Sequence, residues 1–342
     1  MIKYPAALKP GDTIAVSAPS NGVEEGGHFL VHKAKKQLEE KGFNIIIGDT
    51  VWTQENSRSC SPEKRRNELM DFFEDPNVKA IIPIWGGEFL MEILPYLDWE
   101  RLQSLPSKWI LGYSDISTLL FSYTVLTGHA SAHGPALLDI AAKDLDPLTN
   151  KWSEVLGSEV GSTIIQTSSE QYQSSWEQAF ANPVTGFYVD TPTEWKALKE
   201  EAATFSGRFI GGCIDCIMNL TGTKFGDLES FNLENANDEG LIFYFENVEL
   251  SVTQLYRALW QLRQNGWFEN VNGILIGRPV TKETENTYTY EDALRDAFGD
   301  LNIPVIYDTD IGHLPPQNII VNGAYGTVKY EGGKGVIETV FK

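Results

Sequence analysis

Trp109-Ile110-Leu111-Gly112-Tyr113-Ser114-Asp115-Ile116-Ser117 joins two apolar runs, the second continuing as Thr118-Leu119-Leu120-Phe121. The first run reads as the end of a buried strand and the second as the start of a buried helix. Gly112 suits the tight backbone between them, where a side chain would clash or φ must be positive. A serine at such a turn presents its hydroxyl at the C-terminal edge of a sheet. The following backbone N–H groups then point from a helix N-terminus toward any charge that develops there. This is the layout of a nucleophile elbow, although Ile116 stands where G-x-S-x-G has its second glycine. The alternative for these residues is a helix cap made by Ser114 or Asp115.

Outward from this turn the pattern is regular. Upstream, strands are expected at 13–17, 43–47 and 78–84, separated by helices at 29–41 and 61–74 and followed by one at 88–97. Ser61 and Pro62 supply an N-cap and a first helical residue. Such alternation predicts a parallel sheet with both faces covered, and ligands gather at the C-terminal ends of its strands. The loops 18–22, 85–87 and 112–114 fall there. Residues 140–205 break the rhythm with Ser, Thr, Gln and Glu and with Trp152, Trp176 and Trp195, so 159–176 is expected to be a crossing or linker. In the second half, 207–212 reads as a small-residue turn opening a helix at 213–220, its glycine pair serving close packing more readily than anion binding. Residues 240–246 form a strand ending in a carboxylate, 303–307 is a short strand running toward His313, and the Gly-rich tail reads as antiparallel strands.

Composition narrows the function classes. The chain has 342 residues, 42% hydrophobic and 22% charged, with a formal net charge of -20. That acidity disfavours nucleic-acid or anionic-membrane partners. No stretch approaches the roughly 20 apolar residues of a membrane span. Residues 1–10 lack the apolar core of a secretory signal, and three cysteines fit a reduced, cytoplasmic protein better than a disulfide framework. Cys213 and Cys216 have C-x-x-C spacing without a second pair, and read as buried thiols rather than as a metal or redox site.

A serine nucleophile needs a base, and the base needs a third group to hold its tautomer and charge. Of five histidines, His28/His32 and His129/His133 have i,i+4 spacing but lack the Glu of H-E-x-x-H. His133, with Gly134 and Pro135, is a candidate to line the site. His313 follows a strand end and a glycine, and Glu246 ends an apolar strand, where a carboxylate is costly unless paired. Each has an ordinary structural reading as well.

The ordered set Leu8-Lys9-Pro10-Gly11-Asp12, Ala18-Pro19-Ser20, Trp85-Gly86-Gly87, Gly112-Tyr113-Ser114-Asp115, His133-Gly134-Pro135, Gly211-Gly212, Phe245-Glu246 and Gly312-His313 resembles the LD-carboxypeptidase family of serine peptidases. This group includes muramoyl-tetrapeptide carboxypeptidases and microcin C self-immunity proteins, and the tryptophan-bearing insert resembles the immunity branch. The resemblance implies an α/β fold: an N-terminal flavodoxin-like or Rossmann-like parallel-sheet domain (1–150), a linker and substrate loop (151–205), and a C-terminal mixed α+β domain (206–342). The site would lie at their junction. It further implies a triad of Ser114, His313 and Glu246, and an oxyanion hole from the backbone of Asp115 with Gly87 or Gly86. No cofactor or metal is implied, and the expected state is a cytoplasmic homodimer. The substrate would be a small peptide or peptidyl-nucleotide, or a murein tetrapeptide; an esterase or amidase on a similar sheet and a non-catalytic ligand-binding module are the alternatives. Trp195, then Trp176, is the candidate to stack on a nucleotide base, and Ser20, Arg208 and Arg278 are candidates for holding substrate. Asn247, where many relatives have Asp, departs from the pattern.

Overall fold

The computed structural model describes residues 1–142, 145–177, 181, 186–236, 238–281 and 287–342. Its strands in the first half are β1 (Thr13–Val16), β2 (Asn44–Ile47), β3 (Val78–Ile81), β4 (Trp109–Gly112) and β5 (Ser131–His133). Then follow β6 (Thr163–Thr167), β7 (Gln171–Tyr172), β8 (Thr191–Pro192), β9 (Lys196–Ala197) and β10 (Ala202–Cys213). The chain closes with β11 (Leu241–Glu246), β12 (Val271–Gly277), β13 (Val305–Thr309), β14 (Ile320–Asn322), β15 (Tyr325–Glu331) and β16 (Lys334–Val340).

Two sheets hold all of these strands except β7 and β8, which pair antiparallel with each other as a separate two-stranded ribbon. The first has the order β14-β5-β4-β3-β1-β2, parallel from β5 to β2, with β14 added antiparallel from the far end of the chain. The second has the order β6-β16-β15-β10-β11-β12-β13-β9, in which β10 to β13 are parallel and the flanking strands antiparallel. The fold is thus the expected α/β arrangement of a parallel-sheet N-terminal region and a second, mixed sheet. No helix among the described residues is long and apolar enough to cross a membrane.

Helices α1 (His28–Glu40), α2 (Pro62–Glu74), α3 (Trp99–Ser104) and α4 (Ile116–Thr127) belong to the first half. The first two follow their apolar spacing: α1 buries Val31, Ala34 and Leu38, and α2 is capped by Ser61, whose Oγ accepts from Lys64 N–H. Helix α4 differs, because its polar as well as its apolar side chains are buried. A helix hydrophobic on all sides must be covered on all sides. It packs against β4 and β5 and also against β10 of the other sheet.

Several expected elements take other forms. Residues 88–97 are not an α-helix: Pro95 interrupts them, and 90–96 forms a 3₁₀ segment followed by α3. Residues 207–212 are not a turn but the body of β10, and only Ile214–Ile217 behind it is α-helical. The glycines serve close packing, as a Cβ on Gly212 would stand 2.7 Å from Ser117 Cβ and one on Gly211 would strike the Tyr244 carbonyl. Residues 159–176 are not a bare crossing, since β6 within them pairs with β16. A strand with alternating burial (Ile164 and Gln166 inward) is an edge strand that composition disguised.

Candidate active site

Ser114 sits in the turn between β4 and α4 with φ +59°. A non-glycine residue in this left-handed region carries strain of about 1–3 kcal/mol, which persists only where the surroundings impose it. Here β4 ends in Gly112, α4 begins at Ile116, and Ser117 N–H bonds the Ser114 carbonyl at 2.8 Å. Neither Ser114 nor Asp115 caps the helix through its side chain. Asp115 is buried instead, accepting from Ser20 Oγ at 2.5 Å, Leu90 N–H at 2.8 Å and Thr118 Oγ1 at 3.3 Å. Burial pushes its pKa up, and these bonds oppose the shift. Ser20 therefore buttresses the turn from a fully buried position and is not among the residues that line the cleft beside Ser114.

Gly86 lies against Ser114, and Gly87 lines the same cleft. A Cβ on Gly86 would stand 2.7 Å from Ser114 Oγ and 3.1 Å from the Asp115 nitrogen. Gly87 adopts φ +148°, and a Cβ there would meet Ser20 Oγ and the Asn21 backbone. The space beside Ser114 Oγ and the Asp115 amide is open only because residue 86 has no side chain.

Glu246 and His313 come from the second sheet. Glu246 ends β11 in register with Cys213 of β10, and Cys213 N–H donates to Ser117 Oγ at 2.9 Å. This bond fastens the carboxyl end of the second sheet to the first turn of α4, three residues from the serine. His313 follows β13 on a loop, and its Nδ1 lies 2.8 Å from Glu246 Oε2. Glu246 is fully buried, and His313 is 14% exposed. Burial alone would raise the Glu246 pKa, but the charge and hydrogen bond of His313 outweigh it and hold it below the ordinary value. For His313 burial works downward, and Glu246 outweighs it, so the imidazole pKa is raised.

Cys213 offers a third heteroatom, with one ligand atom each of Cys213, Glu246 and His313 within 4.8 Å of one another. Burial pushes the Cys213 thiol well above its usual range. A protonated thiol beside an occupied Glu–His hydrogen bond is a poor metal ligand.

Ser114 and His313 line one cleft of about 680 Å³, with Gly86, Gly87, Tyr113, Asp139, Lys33, Trp85, Trp176 and Phe187 among the walls. Trp176 spans it, its Nε1 donating to the His313 carbonyl at 2.8 Å and its ring edge-on to Phe187 at 6.2 Å. Trp85 is fixed by bonds from Nε1 to the Asn21 and Gly22 carbonyls. Tyr113 packs on the His313 ring with centroids 4.8 Å apart.

Other candidates lie elsewhere. Trp195 is fully buried in the core of the second sheet, so its faces are not available for stacking on a ligand. Its Nε1 donates to Asp310 Oδ2 at 2.7 Å, where Arg278 Nη2 and Ser169 Oγ hold the other carboxylate oxygen. Trp195 and Arg278 thus anchor the loop that carries His313. Arg208 pairs with Glu239 at 2.6 Å, midway along β10, where the pairing with β11 begins and at the opposite end of that pairing from Cys213. His133 is buried against Tyr244, with burial lowering its pKa to about 4, and it does not line the cleft. His28 and His32 flank Trp52 on α1. Trp195→Ala should cost about 3–5 kcal/mol of stability through the cavity left behind, measured by denaturant unfolding. A midpoint unchanged from the parent would show that the ring does not hold this core together.

Asp139 had no place in the expected site, yet its carboxylate lines the cleft. Its one sequence signal is a lone acid within Ala136-Leu137-Leu138-Asp139-Ile140-Ala141. Asp139 lies in a one-turn helix (Leu137–Ile140), its Oδ2 accepting from Ala136 N–H at 2.9 Å.

Comparison with known proteins gives a consistent picture. The profile of the LD-carboxypeptidase N-terminal domain matches residues 14–134, and that of the LD-carboxypeptidase C-terminal domain matches 206–328. A putative carboxypeptidase of Vibrio cholerae is 29% identical over 96% of this chain and 95% of its own. A probable murein peptide carboxypeptidase of Bacillus subtilis is 26% identical over 98% and 94%. Among solved structures, an MccF-like protein of Bacillus anthracis superposes with TM-score 0.84 at 26% identity, covering 98% of this chain and 99% of that one. The microcin C7 self-immunity protein MccF in complex with aspartyl sulfamoyl adenosine shares the fold, with TM-score 0.82 at 20% identity over 100% and 99%.

Proposed function

The chain belongs to the LD-carboxypeptidase family, and from that premise we propose a serine-type carboxypeptidase acting through Ser114, His313 and Glu246. The observation that carries the reading is the buried Glu246–His313 pair, 2.8 Å apart, delivered to the cleft that the strained Ser114 also lines. His313, held by Glu246 through Nδ1, takes the Ser114 proton on Nε2 as the hydroxyl oxygen attacks an amide carbonyl. Glu246 stabilises the imidazolium that forms. The amides of Asp115 and of Gly87 or Gly86 receive the oxyanion, each such donor contributing about 3 kcal/mol to the transition state. His313 then protonates the leaving amine, and water attacks the acyl-enzyme by the same route.

For the substrate we propose an aminoacyl or peptidyl conjugate of a nucleoside. The cleft has the size of a site for a small organic ligand, and Trp176, Phe187 and Trp85 give it an aromatic wall suited to a planar base. A relative of the same fold binds aspartyl sulfamoyl adenosine. Trp176 takes the stacking role that Trp195 cannot. We place the enzyme in the cytoplasm as a homodimer, in line with the family.

Mass spectrometry of hydrolysis tests the substrate. Purified protein is offered aspartyl sulfamoyl adenosine beside a muropeptide ending in D-Ala. Cleavage of the nucleoside conjugate, slowed in Trp176→Ala mainly through KM, is the expected result. Cleavage of the muropeptide alone would move the enzyme to murein recycling.

A further inference from the structure

Resting on the proposed hydrolase reading, we infer that Asp139 forms an ammonium-binding subsite for the free amino group of the residue whose carbonyl is attacked. Asp139 lines the cleft together with Tyr113 and the apolar Leu138, Ala141 and Ala142. The protein supplies it with the Ala136 N–H, which donates to Oδ2 at 2.9 Å. Among the described residues no lysine or arginine pairs with it. A carboxylate in apolar surroundings is costly unless paired, and burial pushes its pKa up to about 6, against the pull of Ala136 N–H and His313. A cation entering the cleft would relieve that cost.

The position says where the cation sits on the substrate. Tyr113 adjoins Ser114 in the chain, packs on the His313 ring and lines the same cleft as Asp139. A charge held by Asp139 therefore shares the cleft with Ser114 and His313. The α-amine of an aminoacyl group, one carbon from the attacked carbonyl, is the substrate ammonium that must enter this cleft together with that carbonyl. The subsite would select an unblocked aminoacyl group over a longer or N-acylated peptide. Asp139 also accepts the Ala136 N–H, a cap that Asn can retain while losing the charge.

The test uses the full chain with Ser114→Ala, so that binding is read without turnover. Calorimetry compares aspartyl sulfamoyl adenosine with its Nα-acetyl form, with and without Asp139→Asn. N-acetylation is expected to weaken binding roughly tenfold or more when Asp139 is present. Asp139→Asn should weaken the free-amine ligand comparably and abolish the difference between the two forms. Equal binding of both forms to the Asp139 protein would overturn the subsite and leave the hydrolase reading intact. Equal loss of both in Asp139→Asn would assign the residue to packing alone and likewise overturn the subsite. Failure of the free-amine ligand to bind at all would overturn the nucleoside-conjugate reading together with this one.

Discussion

Ser114→Ala should lower kcat by roughly 10⁴–10⁶-fold while leaving the fold and substrate affinity close to the parent. The size follows from the division of labour: without the hydroxyl oxygen no acyl-enzyme forms, and His313 and Glu246 have nothing to activate. What survives is water attack assisted by the amides near Gly86 and by positioning. Stability should not fall, because Ser114 contributes its hydroxyl to the cleft and its carbonyl, not its side chain, to α4. Ser114→Gly is the informative partner, since glycine adopts φ +59° without a Cβ penalty. That variant should be as inactive as Ser114→Ala and slightly more stable in denaturant unfolding. Hydrolysis at parental rates in either variant would remove Ser114 as nucleophile.

Glu246→Gln should cost about 10⁴-fold in kcat, the scale found when a serine triad loses its carboxylate with the geometry retained. It should also change the pH profile. In the parent, Glu246 holds the His313 pKa above its ordinary 6.5. The base is active only when neutral, so kcat/KM rises with pH through that raised value. In the Glu246→Gln variant that charge is gone and burial is opposed only by the weaker pull of Asp215 and Asp139, which moves the limb to lower pH. Stability follows a related pattern. Because the folded Glu246 pKa is depressed, its contribution is present above the ordinary 4.5 and lost as pH falls through the folded value. Because the His313 pKa is raised, its contribution is complete below 6.5 and lost as pH rises through the folded value. The pair therefore stabilises the parent most between these limits, and the stability difference from Glu246→Gln should be largest there. An unshifted acid limb in Glu246→Gln would show that the carboxylate does not tune the base.

Much of the site was legible in residue order because its members sit at strand ends. Ser114 after β4, Glu246 at the end of β11 and His313 beyond β13 each follow an apolar run whose length and termination local sequence controls. The same local logic failed where glycine carried two meanings. Gly211 and Gly212 read as a turn, but they lie inside β10, where absent side chains let the strand approach Ser117 and Tyr244. Trp195 and Trp176 show the matching failure for aromatics. Both occur in one polar segment, and nothing in that segment says which ring is buried against Asp310 and which faces the cleft.

The sequence by itself determined the alternating strand-helix order, the parallel sheet and the glycine-serine turn, since periodicity and backbone propensity act over a few residues. It also carried the family, through short motifs in a set order. Only the tertiary structure decided that β14 returns to close the first sheet, that β6 joins the second, and that Cys213 bonds Ser117. It alone turned Trp195 inward and set Asp139 beside Tyr113. These are contacts between residues far apart in the chain. Whether a polar or aromatic side chain becomes support or site depends on which distant surface covers it, and that is settled only when the two sheets pack on α4.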